Sequence, residues 1–406
     1  MKVFVTGMGA LTSLGLNVDD TFSALLDDKS GVRRFPEWEH YNGLHSLIAG
    51  PVADYDVSSI PRATRRTMSR MSEMAFLATS QALRQSRLPA QDLNLPRVLL
   101  IIGSTTGSPL AMEVFFRKLE ERGGPDGQVS TSFFKIMSHS VAANVASALG
   151  YHGALLSPSS ACTTSAQAMI IGWEMIRSGL YDIVIAGGAE ELHYTTAAIF
   201  DIVFAASRKY NGQPDLSPRP FDQERDGLVV SEGAAVVVME SEASVRARGA
   251  TPLAEFCSGA YLCEGSHISQ SNASAMSEVM RMTLDRAEKK ASDVDYVNAH
   301  ATGTVHGDLE EARAIGSVFG QNTPVSSLKG HLGHSLAACG TLEVIASIKM
   351  METSTLLPTR NLTHVDTECA GIAHITQKRI QPVRHVLSNN FAFGGMNTSL
   401  LISACS

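Results

Sequence analysis

The chain has 406 residues, 44% of them hydrophobic and 18% charged, which is ordinary globular composition and enough for two cores. A formal net charge of −7 gives no overall attraction to nucleic acid, and no segment reaches the ~18 uninterrupted apolar residues that a membrane span needs. Six cysteines without a CxxC pair fit a reducing cytoplasm better than a disulfide framework.

In chain order, the run Val3–Val5 opens as a strand. Met1–Leu16 superficially imitates a signal peptide, but Gly7, Gly9, Thr6, Thr12 and Ser13 interrupt it and no cleavage site is evident, so export is not expected. Gly7-Met8-Gly9 suggests a dinucleotide fingerprint, yet Thr12 stands where the third glycine belongs, so no nucleotide cofactor is expected. Arg62, Arg65, Arg66 and Arg70 form a basic cluster, readable either as a solvated helix face or as a docking patch. Met68, Met71, Ala75, Ala78 and Ala82 form one stripe, predicting an amphipathic helix over Met68–Leu83. Further strands are expected at Val98–Ile102, Ile183–Ala186, Ala235–Val238, Tyr296–Asn298, Val325–Ser327, Val386–Ser388 and Ser399–Ile402. Their unbroken apolar character points to strands buried on both faces by helices.

Two places repeat one another. Ser159-Ser160 precedes Cys162 and a helical pattern carrying Ala166, Met169, Ile170 and Trp173. Ser326-Ser327 precedes Lys329, His334 and a pattern carrying Ala338, Leu342, Ile345 and Ile348. Each half thus delivers reactive side chains at the mouth of a core helix. The pattern breaks near Ala247–Pro252, which divides the chain into 1–248, carrying the cysteine, and 249–406, carrying the histidines. Cys162, at a strand-to-helix turn, is expected to have a lowered pKa from the helix N-terminus. His300 and His334 lie in Gly- and Ser-rich turns directly after strands, where sites of α/β proteins gather. His300, His306, His331 and His334 lack a convincing completing ligand, so no metal is expected.

Four stretches together carry a resemblance: Ser159–Ser165 around Cys162, Asn298–Thr304, Ser326–Ser335, and Ser388–Asn397. Val5–Gly9, Gly187–Glu191 and Pro220–Gly227 extend it along the chain. The sequence resembles the β-ketoacyl-acyl carrier protein synthases, the condensing enzymes of fatty acid and polyketide synthesis. That resemblance implies an α/β, thiolase-like duplicated five-layered αβαβα fold, usually a homodimer. It implies Cys162 as acylated nucleophile, His300 and His334 as the pair serving malonyl decarboxylation, and Lys329 as an electrostatic organiser. Asp308 and Glu311 match acidic residues that organise the lysine and its loop, and Thr302 and Thr304 the hydroxyls on a pantetheine arm. Phe393, with Phe391 beside it, matches the gate, and the Phe393 N–H joins that of Cys162 in an oxyanion hole. Thr106 and Phe200, next to Ile199, are expected in the acyl pocket. Arg62, Arg65, Arg66, Arg208 and Lys209 are expected to dock an acidic acyl carrier protein; the Gly123–Gln128 loop lacks basic residues and hints at a dedicated carrier.

No cofactor is implied beyond the carrier's phosphopantetheine. The leading expectation is a cytoplasmic fatty-acid elongating enzyme that joins an acyl primer to malonyl carrier. The alternatives are a type II polyketide or polyene ketosynthase paired with a chain-length-factor-like subunit, and a structural partner subunit, which the presence of Cys162 disfavours.

Overall fold

The structure, a computed structural model, describes residues 1–405. Among the described residues eleven strands join in one sheet: β1 (Val3–Leu11), β2 (Val98–Gly103), β3 (Ala154–Leu156), β4 (Ile183–Glu190), β5 (Gly233–Ser241), β6 (Ala254–Cys263), β7 (Tyr296–Asn298), β8 (Pro324–Ser326), β9 (Ala373–His374), β10 (His385–Ala392) and β11 (Met396–Ala404). Eight helices frame the site: α1 (Arg70–Ser86), α2 (Pro109–Arg122), α3 (Ser140–Leu149), α4 (Thr164–Arg177), α5 (Tyr194–Ile202), α6 (Ala273–Arg286), α7 (Val305–Phe319) and α8 (Cys339–Thr353).

The sheet runs β9-β8-β7-β10-β11-β6-β1-β5-β4-β2-β3. Setting aside the short edge strand β9, each half has the same order: third, second, fourth, fifth, first. The senses repeat as well. β2 is parallel to β3 and β4, while β5 is antiparallel to β4 and β1. In the second half β7 is parallel to β8 and β10, while β11 is antiparallel to β10 and β6. The halves meet where β1 pairs with β6, Phe4 opposite Glu255 and Val5 opposite Ala254. The repeat read from the residues before α4 and α8 is therefore a repeat of topology.

Packing follows from apolar continuity. β2, β4 and β5 are buried at every residue, so each needs helices on both faces. α4 and α8 form the middle layer: Ala166, Met169, Ile170 and Trp173 meet Leu342, Ile345 and Ile348 in a core shared with strands of both halves. α1 and α3 cover the outer face of the first half, and α6 and α7 that of the second. These five layers are the thiolase-like architecture that the resemblance implied.

The apolar stripe of α1 is buried as expected, although the helix begins at Arg70. Ser69 caps it, its hydroxyl accepting the Ser72 N–H at 3.4 Å. The glycines of β1 have a packing role. A Cβ on Gly7 would stand 2.1 Å from Ala82 O and one on Gly9 1.9 Å from Ala78 O, so they let α1 lie directly on the strand.

Candidate active site

Cys162 reaches the centre from the first half. After β3 the chain enters a single 3-10 turn, Ala161–Thr163, that runs into α4. Thr164 fastens the turn: its hydroxyl accepts the Ser160 N–H at 2.9 Å and donates to Ala161 O at 2.7 Å. Ala161 is held at φ +49, a conformation that a side-chain-bearing residue adopts only under constraint.

His300 follows β7. Glu311 on α7 fixes its backbone, accepting the N–H of His300 at 2.8 Å and of Ala301 at 2.6 Å. Asp308 does the same for the next turn, accepting from Thr302 at 3.0 Å, Gly303 at 3.1 Å and Phe221 at 2.8 Å. His334 follows the short helix Lys329–Leu332. Its N–H donates to Val229 O at 2.7 Å, and its carbonyl accepts the Ser231 N–H at 2.9 Å.

The three side chains converge. His334 Nε2 lies 2.9 Å from Cys162 Sγ, and the His300 and His334 rings stand edge to face with centroids 5.2 Å apart. Lys329 Nζ sits 3.4 Å from His300 Nδ1 and forms a buried ion pair with Glu343 of α8. Asn390 of β10 donates to Glu343 Oε2 at 2.7 Å and approaches His300 Nδ1 at 3.5 Å. With donors on its Nδ1, a neutral His300 carries its proton on Nε2.

The electrostatics correct one expectation. Burial pushes the Cys162 thiol up to about 12, against the opposing pull of the Lys329 charge, so the resting sulfur is a thiol and not the thiolate expected from its helix terminus. Burial, then the Lys329 charge, holds His300 and His334 well below the usual histidine range, and both are neutral. For Lys329, burial works downward but the Glu343 carboxylate outweighs it, raising the pKa and keeping the ammonium charged.

The lysine has a closer partner than the two expected acids, of which Glu311 acts on it only through its charge. Asp308 and Glu311 bind backbone N–H groups, and Glu343 is the residue that pairs with Lys329. Glu343, Asn390 and Cys339 had no assigned role. The usable clue was a lone carboxylate inside the apolar run Leu342–Ile348, because a charge on a buried helix face needs a partner.

Two cavities meet at the sulfur. A small one, about 60 Å³, is lined by Cys162, His300, His334, Thr302, Thr304 and Phe391. The two threonine hydroxyls are 3.2 Å apart. A larger, mostly apolar one of about 520 Å³ runs past Thr106, Met112, Phe116, Ile199 and Phe200. Cys162, Phe200 and Phe393 line both. Phe393 forms the turn between β10 and β11 with Gly394 and Gly395, and its ring lies 6.1 Å from that of Phe200. Gly395 has φ +72, and a Cβ there would meet Glu264 O at 1.8 Å.

The basic residues divide. Arg62 and Arg66 are exposed and Arg65 is half-buried, all three in or beside the short helix Arg62–Arg65; Lys209 is exposed. Arg208 is partly exposed and already ion-paired: its guanidinium donates to Asp201 Oδ1 at 2.6 Å and lies over the Phe204 ring. Arg70 is likewise committed, to Glu232 at 2.8 Å. The imagined histidine metal cluster is not assembled, since His331 faces Asp28 at 2.9 Å and His306 is exposed.

The beta-ketoacyl synthase N-terminal domain family matches residues 1–244, and its C-terminal domain family matches residues 253–363. The chain is 35% identical to 3-oxoacyl-[acyl-carrier-protein] synthase 1 of Escherichia coli K12, over 99% of this chain and 98% of that one. The crystal structure of a beta-ketoacyl synthase from Burkholderia phymatum superposes with a TM-score of 0.96 at 38% identity, covering 100% of both chains. A type II polyketide synthase ketosynthase, solved with its acyl-carrier protein and bound to the hexaketide, superposes with a TM-score of 0.91 at 26% identity, covering 100% of this chain and 99% of that one. With Cys162 in the first matched domain and His300, Lys329 and His334 in the second, the chain belongs to the beta-ketoacyl synthase family and is an acyltransferase of the condensing type.

Proposed function

We propose that this enzyme extends an acyl primer by two carbons, by decarboxylative condensation with a malonyl group, both carried as thioesters on an acyl carrier protein. The observation that carries the reading is the 2.9 Å contact between Cys162 Sγ and His334 Nε2, with His300 beside them.

In the first half-reaction Sγ attacks the primer carbonyl while its proton passes to His334 Nε2. The oxyanion forms where the N–H groups of Cys162 and Phe393 serve as donors; losing one such donor costs about 3 kcal/mol. The carrier thiol departs with the proton from His334, leaving acyl-Cys162. Malonyl thioester follows. Its C–C bond to carboxylate breaks, CO2 leaves, and the electron pair moves onto the thioester oxygen as an enolate. His300, its proton held on Nε2, donates to that oxygen, and His334 adds a second donor once its proton lies on Nε2. The enolate carbon attacks acyl-Cys162, a C–C bond forms, and the cysteine sulfur leaves as thiolate and takes one proton from solvent, the proton that the net reaction consumes. The product is a 3-oxoacyl thioester. Lys329, charged and paired, fixes the His300 tautomer and removes no proton.

Identity of 35% to a 3-oxoacyl-[acyl-carrier-protein] synthase 1, against 26% to the polyketide ketosynthase, supports fatty chains as substrates. The polyketide relative's carrier complex supports a carrier as partner, docking on exposed Arg62 and Arg66. Exposed Leu156 on edge strand β3, with exposed Phe116, Phe133 and Phe134, supports pairing with a second copy. Six unpaired thiols support a cytoplasmic location. The test separates the half-reactions. His300→Ala is expected to accept the primer at near wild-type rate and to lose CO2 release from malonyl carrier by about 100-fold or more; undiminished CO2 release overturns the role of His300.

A further inference from the structure

Cys162 Sγ and a ring nitrogen from each of His300 and His334 lie within 4.8 Å of one another, and all three side chains are buried. One thiolate and two imidazoles are a donor set that Zn2+ and other thiophilic divalent ions take, and such sites keep a fourth position open. The small cavity above the three residues supplies that opening.

The surroundings of the donors differ from those of a metal centre. A metal-bound imidazole gives the N–H of its other ring nitrogen to a carboxylate, carbonyl or water. Here His300 Nδ1 faces two donors, Lys329 Nζ at 3.4 Å and Asn390 Nδ2 at 3.5 Å, which leaves Nε2 as the nitrogen open to a ligand. Both are tied to one carboxylate, Lys329 in its ion pair with Glu343 and Asn390 through a 2.7 Å bond to Glu343 Oε2, which sets the amide's orientation. A neutral imidazole has one proton. With two donors at Nδ1 that proton resides on Nε2, the nitrogen on which an ion would have to bind. Moving it to Nδ1 would set three N–H groups against one another without an acceptor.

We propose that Cys162, His300 and His334 are a latent site for a thiophilic divalent cation such as Zn2+, and that Lys329, with Asn390, keeps it closed by denying His300 the ligating tautomer. The arrangement that offers an N–H to the substrate oxygen thereby also protects the nucleophilic sulfur from capture. Capture would form one S–metal and two N–metal bonds and release the thiol proton to solvent, with no change of oxidation state. With His300 closed, only Cys162 and His334 can hold an ion. Removing Lys329 opens the third ligand: without the ammonium the buried Glu343 carboxyl is neutral, the acceptor that held the Asn390 amide becomes an O–H donor, and Asn390 can turn its unpartnered Oδ1 toward both that O–H and Nδ1–H.

The experiment measures Zn2+ affinity of the full chain by competition with a chromophoric chelator, and Co2+ binding by absorbance, neither of which needs turnover. Lys329→Met is expected to bind Zn2+ about 100-fold more tightly than wild type and to show a Co2+–thiolate band with tetrahedral visible bands. Lys329→Arg, which keeps a donor at Nδ1, should stay near wild type. Adding Cys162→Ser to Lys329→Met should abolish the thiolate band. Since Lys329→Met leaves Glu343 buried without its partner, Lys329→Met with Glu343→Gln is the second version, and the same gain is expected. Wild-type protein that itself binds Zn2+ as tightly as either methionine variant overturns the proposal. So does tight binding that survives Cys162→Ser, which would place the ion elsewhere.

Discussion

At Cys162 two effects oppose one another. The N-terminus of α4 favours the thiolate, by ~0.3–1 kcal/mol at an ordinary helix end. Burial favours the thiol and wins, raising the pKa to about 12. A thiol loses its proton only as pH approaches that value, so the alkylation rate with iodoacetamide should climb about tenfold per pH unit between pH 7 and 10. A plateau near pH 7 would mean that the helix end prevails. His334 resolves the apparent conflict with nucleophilicity: at 2.9 Å it can take the proton during attack, so no standing thiolate is needed. Cys162 was legible from its place at a strand-to-helix turn, and His300, His334 and Lys329 from the motifs that carry the family resemblance. The partnership of Lys329 with Glu343 was not, because it joins a short helix to the middle of α8, and only packing decides which carboxylate reaches the ammonium.

Among elements, strands were legible wherever Val, Ile and Leu run together. β6 was not, because Ser258, Gly259 and Cys263 dilute Ala254–Cys263 and the ladder to β11 shifts register between Leu401 and Ile402. β10 and β11 were expected as short strands yet run on to a three-residue turn that presents Phe393. Turn geometry sets that length: Gly394 and Gly395 both have positive φ, and no side chain fits at Gly395. The short helix Arg62–Arg65 belongs to a different argument, since charge on a surface element acts on encounter more than on stability. Arg62→Glu with Arg66→Glu is expected to raise KM for carrier-borne substrates by about tenfold at low salt, with a smaller effect at high salt. KM for a free pantetheine thioester should not change; an equal rise in both would assign these arginines a structural role.

Across the whole molecule, duplication explains why reactive groups so distant in sequence meet. Two copies of one strand order pack α4 against α8, and the loops entering those helices open on one centre. Other links hold the halves in register. Asp222, fully buried in the first, accepts the N–H groups of Thr363 at 2.8 Å and His364 at 2.9 Å from the second. Burial works to raise its pKa, but these donors, with Glu224 and Arg219, outweigh it and hold the carboxyl below its usual range. A depressed folded pKa means stability that is full above the unfolded value of about 3.9 and is lost as pH falls through the folded one. Asp222→Asn should therefore cost about 2–3 kcal/mol in denaturant unfolding at pH 7. The gap to wild type should shrink below about pH 4; a gap independent of pH would show that shape, not charge, makes the link.

The central claim is that sulfur from one half and imidazoles from the other work on a single thioester. Intact-mass analysis after exposure to an acyl-carrier thioester, followed by peptide mapping, tests it most directly. The account predicts one acyl group per chain, mapped to Cys162, that is absent in Cys162→Ala and is discharged when malonyl carrier is added. An adduct on another residue, or an acyl-Cys162 that malonyl carrier leaves untouched while CO2 is released, would contradict it.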